Sequence, residues 1–163
     1  MILEILIIIL VTIIVALTIN FIEDRKYNKT KMSFKESIDL TGLPIVTFYQ
    51  ENKKFNFLLD TGANLSVINK GALKIVKYNK LENSNNTVTG IDGKPIPADS
   101  ISLNLTYNNV NYEEKFQVVD MKEAFKTIKK ESGVSLVGIL GSEFFQKNKY
   151  VLDFAKLIAY SKK

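Results

Sequence analysis

Asp60 stands at the end of an apolar run, Phe57-Leu58-Leu59, in the stretch Phe57 to Asn69, FLLDTGANLSVIN. Thr61, Gly62 and Ala63 follow, small and turn-prone, before apolar residues resume. A carboxylate carried out of a strand into a tight loop either caps a turn or does chemistry. Composition narrows what that chemistry can be. The 163 residues include no Cys and no His. Thiol nucleophiles, Cys-ligated metals, Ser-His-Asp triads and His-ligated metal sites are therefore excluded. Catalysis by this chain must rest on carboxylates, Lys or hydroxyls. No calcium loop of Asp-x-Asp-x-Asp-Gly type and no phosphate-binding Gly-Lys-Ser/Thr loop occurs. No metal and no cofactor are expected.

The other acids are poorer candidates. Asp92 sits at a hairpin tip, while Asp99, Asp120 and Asp153 end or interrupt strands as solvated boundary residues do. The net charge of +5, from 22 basic and 17 acidic residues, is mild, and Lys is spread along the chain with no Arg-rich, aromatic-interleaved patch. No nucleic-acid partner is expected. Asn64-Leu65-Ser66 is formally a glycosylation sequon, read as chance because a glycan there would block the loop.

Elements that could position Asp60 are legible around it. Residues 2–22 are almost wholly apolar, interrupted by Glu4, Thr12, Thr18 and Asn20. At about 1.5 Å per residue a helix of that length spans a hydrocarbon core of roughly 30 Å. No small-x-small cleavage site is evident, so a retained transmembrane anchor over 1–22 is expected rather than a cleaved leader. Arg25, Lys26, Lys29 and Lys31 follow the span and none precedes it. The positive-inside rule then gives a single-pass membrane protein with its C-terminal bulk on the cytoplasmic side. Residues 23–37 read as a polar tether and 38–163 as the folded domain.

From Leu43 onward the hydrophobic period becomes two. LPIVTFYQ and KKFNFLLD are strand-like runs joined through the polar ENKK region. Ile101, Leu103, Leu105 and Tyr107 alternate with polar residues, and Tyr112, Phe116 and Val118 continue the pattern after Asn108-Asn109. That is a hairpin of half-buried strands, its Asn-Asn loop tolerating positive φ. In TVTGIDGKPIPAD, Asp92-Gly93 is a hairpin dipeptide, Gly90 adds mobility, and Pro95 and Pro97 keep the descending arm off a central sheet position. Short helices are expected at Lys70 to Lys77, Lys122 to Glu131 and Ser142 to Lys147, the last capped by Ser142. SLVGILG reads as a strand closing on Gly141, and the final YVLDFAKLIAYS as a strand pair hinged near Asp153 to Lys156.

Taken together, LLDTGAN at 58–64 and GILGSEFF at 138–145, with a glycine-bearing hairpin between them, resemble the retropepsin-like aspartic proteases. That single-domain group includes retroviral proteases and their cellular and bacterial relatives. Its first motif is two apolar residues, Asp-Thr/Ser-Gly, then Ala or Ser; Leu58 to Ala63 match at every position. Its second is an apolar-apolar-Gly step, matched by Ile139, Leu140 and Gly141. Gly90, Ile91, Asp92 and Gly93 lie where the family has its flap. The resemblance covers roughly residues 40–163. It implies a mostly β, closed retropepsin-like barrel of one lobe, preceded here by the transmembrane helix. It also implies an aspartic endopeptidase, in which two carboxylates share a proton and activate a water against the scissile carbonyl of a polypeptide substrate. With one Asp-Thr-Gly per chain, it implies a homodimer with one Asp60 from each copy. Thr61 hydroxyls would bond across the pair, Gly62 would let its amide approach the carboxylate, and Ala63 would leave room for substrate.

The chain departs from the retroviral pattern in three places. Ser142 and Glu143 stand where retroviral members have an Arg after the late glycine, the flap region lacks an obvious aromatic, and a basic helical insert lies around 122–131. These departures place it nearer the cellular and bacterial branch. The alternative from another class is a non-catalytic membrane-tethered β-barrel that dimerises or binds peptides.

Overall fold

In the computed structural model, residues 9–15, 18, 33–81, 86–89 and 95–162 are described. The chain divides into two units, Met1–Lys31 and Met32–Lys163. In the first, residues 9–15 are helical, and Ile9, Leu10, Val11, Ile13, Ile14 and Val15 are about half exposed. No helix among the described residues is long and apolar enough to cross a membrane, and most of the expected span 2–22 lies outside them.

The second unit opens earlier than the sequence reading placed it. Helix α1, Phe34–Thr41, begins within the residues 23–37 assigned there to the polar tether. Ser33 caps it by accepting from the Glu36 amide at 3.3 Å, while Glu36 accepts from the Ser33 amide at 2.8 Å. This reciprocal box satisfies two of the amides that a helix start leaves unpaired. At the other end Gly42 takes φ 69°, a left-handed conformation that glycine adopts without a Cβ clash. Phe34 is buried, and its ring meets that of Phe154 edge-on at 5.2 Å. The Ser37 hydroxyl donates to the Leu43 carbonyl and accepts from the Ile45 amide at 2.6 Å, fixing the entry into the sheet.

The strands follow the expected alternation. β1 (Ile45–Gln50) and β2 (Lys53–Leu59) pair antiparallel, Ile45 opposite Leu58, through a turn at which Glu51 takes φ 55°. β3 (Val67–Asn69) leads into a 3-10 turn, Lys70–Lys74, shorter than the expected helix. β4 (Asn79–Lys80) is brief. β5 (Asn86–Thr89) and β6 (Pro95–Ala98) form a sheet of their own, consistent with the two prolines, since Pro has no amide for a central ladder. β7 (Ser100–Tyr107) and β8 (Val110–Val119) form the long hairpin, with Asn108 and Asn109 at φ 47° and 62° as a tight two-residue loop requires.

Helix α2 (Lys122–Ser132) follows, then β9 (Gly138–Leu140), helix α3 (Ser142–Asn148), and the antiparallel pair β10 (Tyr150–Asp153) and β11 (Ile158–Ser161). The main sheet runs β1-β2-β9-β3-β8-β7-β4, and a further β1–β7 pairing at Tyr49 and Thr106 closes six of these strands into a barrel. Phe48, Phe57, Tyr112, Phe116 and Phe144 fill it, with ring centroids 5.5–5.9 Å apart. Such aromatic pairs add to the area they bury. A second cluster collects Ile45, Phe125, Val134, Leu136 and Ile139 outside the barrel, so the α2 insert is anchored through Phe125 while Lys122, Lys126, Lys129 and Lys130 stay exposed.

Candidate active site

β2 delivers Asp60. Along it Phe55, Phe57 and Leu59 point into the barrel and are buried, so Leu58 and Asp60 fall on the opposite face. At its end β9 runs parallel beside it, Leu58 facing Ile139 and Leu59 facing Leu140. The Asp60 amide donates to the Leu140 carbonyl at 3.0 Å, the last rung of that ladder. The chain then turns. Asp60 Oδ1 accepts from the Gly62 amide at 2.9 Å, and the Ala63 amide donates to the Asp60 carbonyl at 3.3 Å. A Cβ on Gly62 would stand 3.3 Å from Asp60 Oδ1, so glycine leaves that approach uncrowded. Asp60 is half-buried, Thr61 and Gly62 are exposed, and Ala63 packs at the edge of the second cluster.

The Ile139-Leu140-Gly141 step closes against this loop. The Ser142 amide donates to the Ala63 carbonyl at 2.7 Å, and the Glu143 amide to the Asn64 carbonyl at 3.2 Å. Ser142 is not the cap of α3: the N-cap is Gly141, and the Ser142 hydroxyl instead donates across to the Asn64 carbonyl at 3.2 Å. The Asn64 carbonyl thus accepts twice, from the Glu143 amide and from the Ser142 hydroxyl. A Cβ on Gly141 would sit 2.5 Å from the Leu65 carbonyl oxygen and 2.9 Å from that of Ala63. The two sequence motifs, far apart in the chain, are thus one structure.

A cleft of about 1040 Å³ opens over Asp60. It is lined by Gly62, Ala63, Leu65, Val67 and Ile139, by Ser142, Glu143 and Gln146 of α3, and by Thr87 and Val88 of β5. Thr87 and Val88 belong to the arm of the expected flap. Its tip, Gly90, Ile91, Asp92 and Gly93, lies outside the described residues. Asp120 and Asp153 accept the amides of Lys122 and Lys156 in local turns and stand apart from the cleft. Among the described residues no group of three or more acidic side chains is placed to hold a metal ion.

Two residues escaped the sequence reading. Gly138 carries no slack either: a Cβ there would meet the Val67 carbonyl oxygen at 2.5 Å and the Phe57 ring at 3.1 Å. Glu114 sits on the apolar row of β8 between Tyr112 and Phe116 and is buried at 3% exposure. Its Oε1 accepts from the Ser66 hydroxyl at 2.7 Å, and that hydroxyl accepts from the Gly141 amide at 3.1 Å. Lys147 Nζ lies 3.8 Å from Glu114 Oε2. Burial first of all pushes the Glu114 carboxyl above the usual carboxylate range, and nearby Glu143 adds to this, while Ser66 and Lys147 pull it back. A carboxylate on an otherwise apolar strand row is the signal that could have found it.

Comparison with known proteins gives one family model, described as retroviral aspartyl protease, matching residues 41–153. No curated protein matches the chain. Among solved structures, EIAV protease complexed with the inhibitor HBY-793 is similar at 20% identity and TM-score 0.48, over 64% of this chain and 86% of that one. The retroviral protease-like domain of Ddi1 from Leishmania major is similar at 12% identity and TM-score 0.48, over 74% of this chain and 84% of that one.

Proposed function

We propose, from the premise that this chain belongs to the retroviral aspartyl protease family, that it is an aspartic endopeptidase working as a homodimer with one Asp60 from each copy. The observation that carries the reading is the Asp60 loop itself: a half-buried carboxylate at the end of β2, braced by Leu140 and Gly62, lining a cleft of about 1040 Å³. Two aspartates brought together share one proton, since like charges at that distance cannot both ionise. The ionised one takes a proton from a water held between them. The protonated one hydrogen-bonds the scissile carbonyl, the attacking oxygen adds to its carbon, and the nitrogen leaves protonated. Thr61, exposed beside Asp60, is suited to bond its counterpart and hold the two loops level. Gly90 to Gly93, at the tip of the β5–β6 hairpin, would cover bound peptide.

The second part of the proposal is the membrane. The apolar run 2–22 supports a single-pass anchor, and Arg25, Lys26, Lys29 and Lys31 on its C-terminal side support a cytoplasmic protease domain. Protease added to sealed vesicles from expressing cells should leave an epitope at the C-terminus intact until the membrane is permeabilised; digestion from outside would reverse the orientation.

The direct test of catalysis compares the full chain in detergent with its Asp60→Asn form on denatured casein. Cleavage is expected to be faster at acid than at neutral pH and absent in the variant, with thermal unfolding little changed. Equal cleavage by both forms would remove Asp60 from the chemistry.

A further inference from the structure

Glu114 is the one acidic or basic side chain buried among the described residues, and nothing in the cleavage reaction itself uses it. Its hydrogen-bonded partner, Ser66, belongs to the apparatus that holds Asp60. A backbone amide can only donate, so the Gly141 amide commits a lone pair of Ser66 Oγ, at 3.1 Å. The single Ser66 proton is then left for Glu114 Oε1, 2.7 Å away. Ser66 is further pinned through its carbonyl, which accepts the Gln117 amide at 2.9 Å. Gly141 directly follows Leu140, whose carbonyl accepts the Asp60 amide. On the outer side, Glu114 faces Lys147 and Glu143 of α3, whereas Glu113 and Lys115 on its own strand are exposed on the opposite face.

We propose that Ser66, Glu114 and Lys147 form a positioning relay, in which ionised Glu114 directs the Ser66 hydroxyl so that it holds the Gly141 amide and keeps the Asp60 loop in register with the end of β9. This deepens the reading of Asp60 as half of a catalytic pair and rests on it. Glu114 is a positioning residue and touches no substrate. Its ionisation matters because an ionised Glu114 can only accept, which fixes the Ser66 proton on Oε1, whereas a protonated Glu114 can also donate to the second lone pair of Ser66 Oγ and turn that proton away. Lys147, mostly exposed, favours the ionised form from outside. Small displacements of a reacting group are costly, since the rate depends on near-attack geometry.

The test measures kcat and KM for the full-length wild type, Glu114→Gln, Ser66→Ala, the double variant and Asp60→Asn across pH. The substrate is a quenched-fluorescent peptide copied from a bond that the wild type cuts in denatured casein. Glu114→Gln keeps the shape and remains neutral, so it mimics the protonated state at every pH. At neutral pH its kcat is expected to fall about tenfold with KM within about twofold of wild type. The wild-type to variant ratio of kcat should close toward one at acid pH and widen as pH rises through the Glu114 ionisation. Ser66→Ala should lose a similar factor, and the double variant no more than either single one, as members of one relay do. If Ser66→Ala does not fold, the near-isosteric Gln variant still decides. A wild-type kcat in Glu114→Gln, or a ratio independent of pH, overturns the relay while leaving the protease reading intact. Wild type and Asp60→Asn both failing to cleave would remove the reading and the relay together.

Discussion

Gly141 is the position at which the site tolerates least change. The carbonyl oxygens of Leu65 and Ala63 crowd the place a Cβ would take, at 2.5 and 2.9 Å, and both are backbone atoms that cannot swing away. Gly141→Ala must push the Asp60 loop off the end of β9, breaking the bonds from Ser142 and Glu143 to that loop. A cost of about 3 kcal/mol is expected, at the upper end for overpacking, with cleavage lost even where the protein still folds. Urea unfolding measures the first and peptide hydrolysis the second; an active, equally stable variant would mean that the loop can move freely. At this scale the sequence was informative wherever the chemistry is local. Asp60, Thr61, Gly62 and Ala63 declare themselves because an acid interrupts an apolar run. Glu114 does not, because its meaning depends on Ser66, 48 residues earlier in the chain, which only the β3–β8 pairing brings beside it.

Strand β8 is the element through which the site becomes sensitive to pH. It carries Glu114 inward, between the Asp60 loop and α3, and holds a carboxyl whose burial raises it above its ordinary value of 4.5. The sign of the consequence follows from linkage. A carboxyl raised in the folded state contributes stability that is fully present below 4.5 and is lost as pH rises through its folded-state value. The wild type should therefore lose stability relative to Glu114→Gln as pH is brought from acid toward neutral, measured as the difference between their unfolding midpoints. A difference constant with pH would show that Glu114 titrates alike folded and unfolded. The buried charge thus costs stability in the range where it serves the loop, a trade common at functional sites. Elements differ in how far they can be read from sequence. The β7–β8 hairpin was legible because alternation and Asn108-Asn109 agree. Helix α1 was missed although Ser33 and Glu36 spell a capping box and Gly42 a stop, because the polar residues beside them read as tether. The Ser142 cap was wrong because a neighbouring loop, invisible in the local sequence, competes for the hydroxyl.

For the whole molecule, one Asp60 per chain sets the question. Alternation made the strands legible and the closed barrel came only as what the resemblance of the two separated motifs implies; the strand order itself was not readable, since β9 reaches its place between β2 and β3 across the α2 insert. If the catalytic pair is built from two copies, activity belongs to the assembly and must rise more steeply than in proportion to protein concentration wherever dimers dissociate. If the proposed anchor holds both copies in one membrane, their effective concentration rises and a weak dimer persists. A mixing experiment separates the possibilities. Wild type and Asp60→Asn, each diluted until activity per chain is lost, are combined in equal amounts and concentrated together. If both carboxylates are required, random pairing leaves cleavage at about one quarter of that of the same total of wild type, because only that fraction of pairs carries two Asp60. Independent monomers would leave about one half, and pairs needing a single Asp60 about three quarters. Either of those results would place the partner carboxylate elsewhere than in a second copy of the same loop.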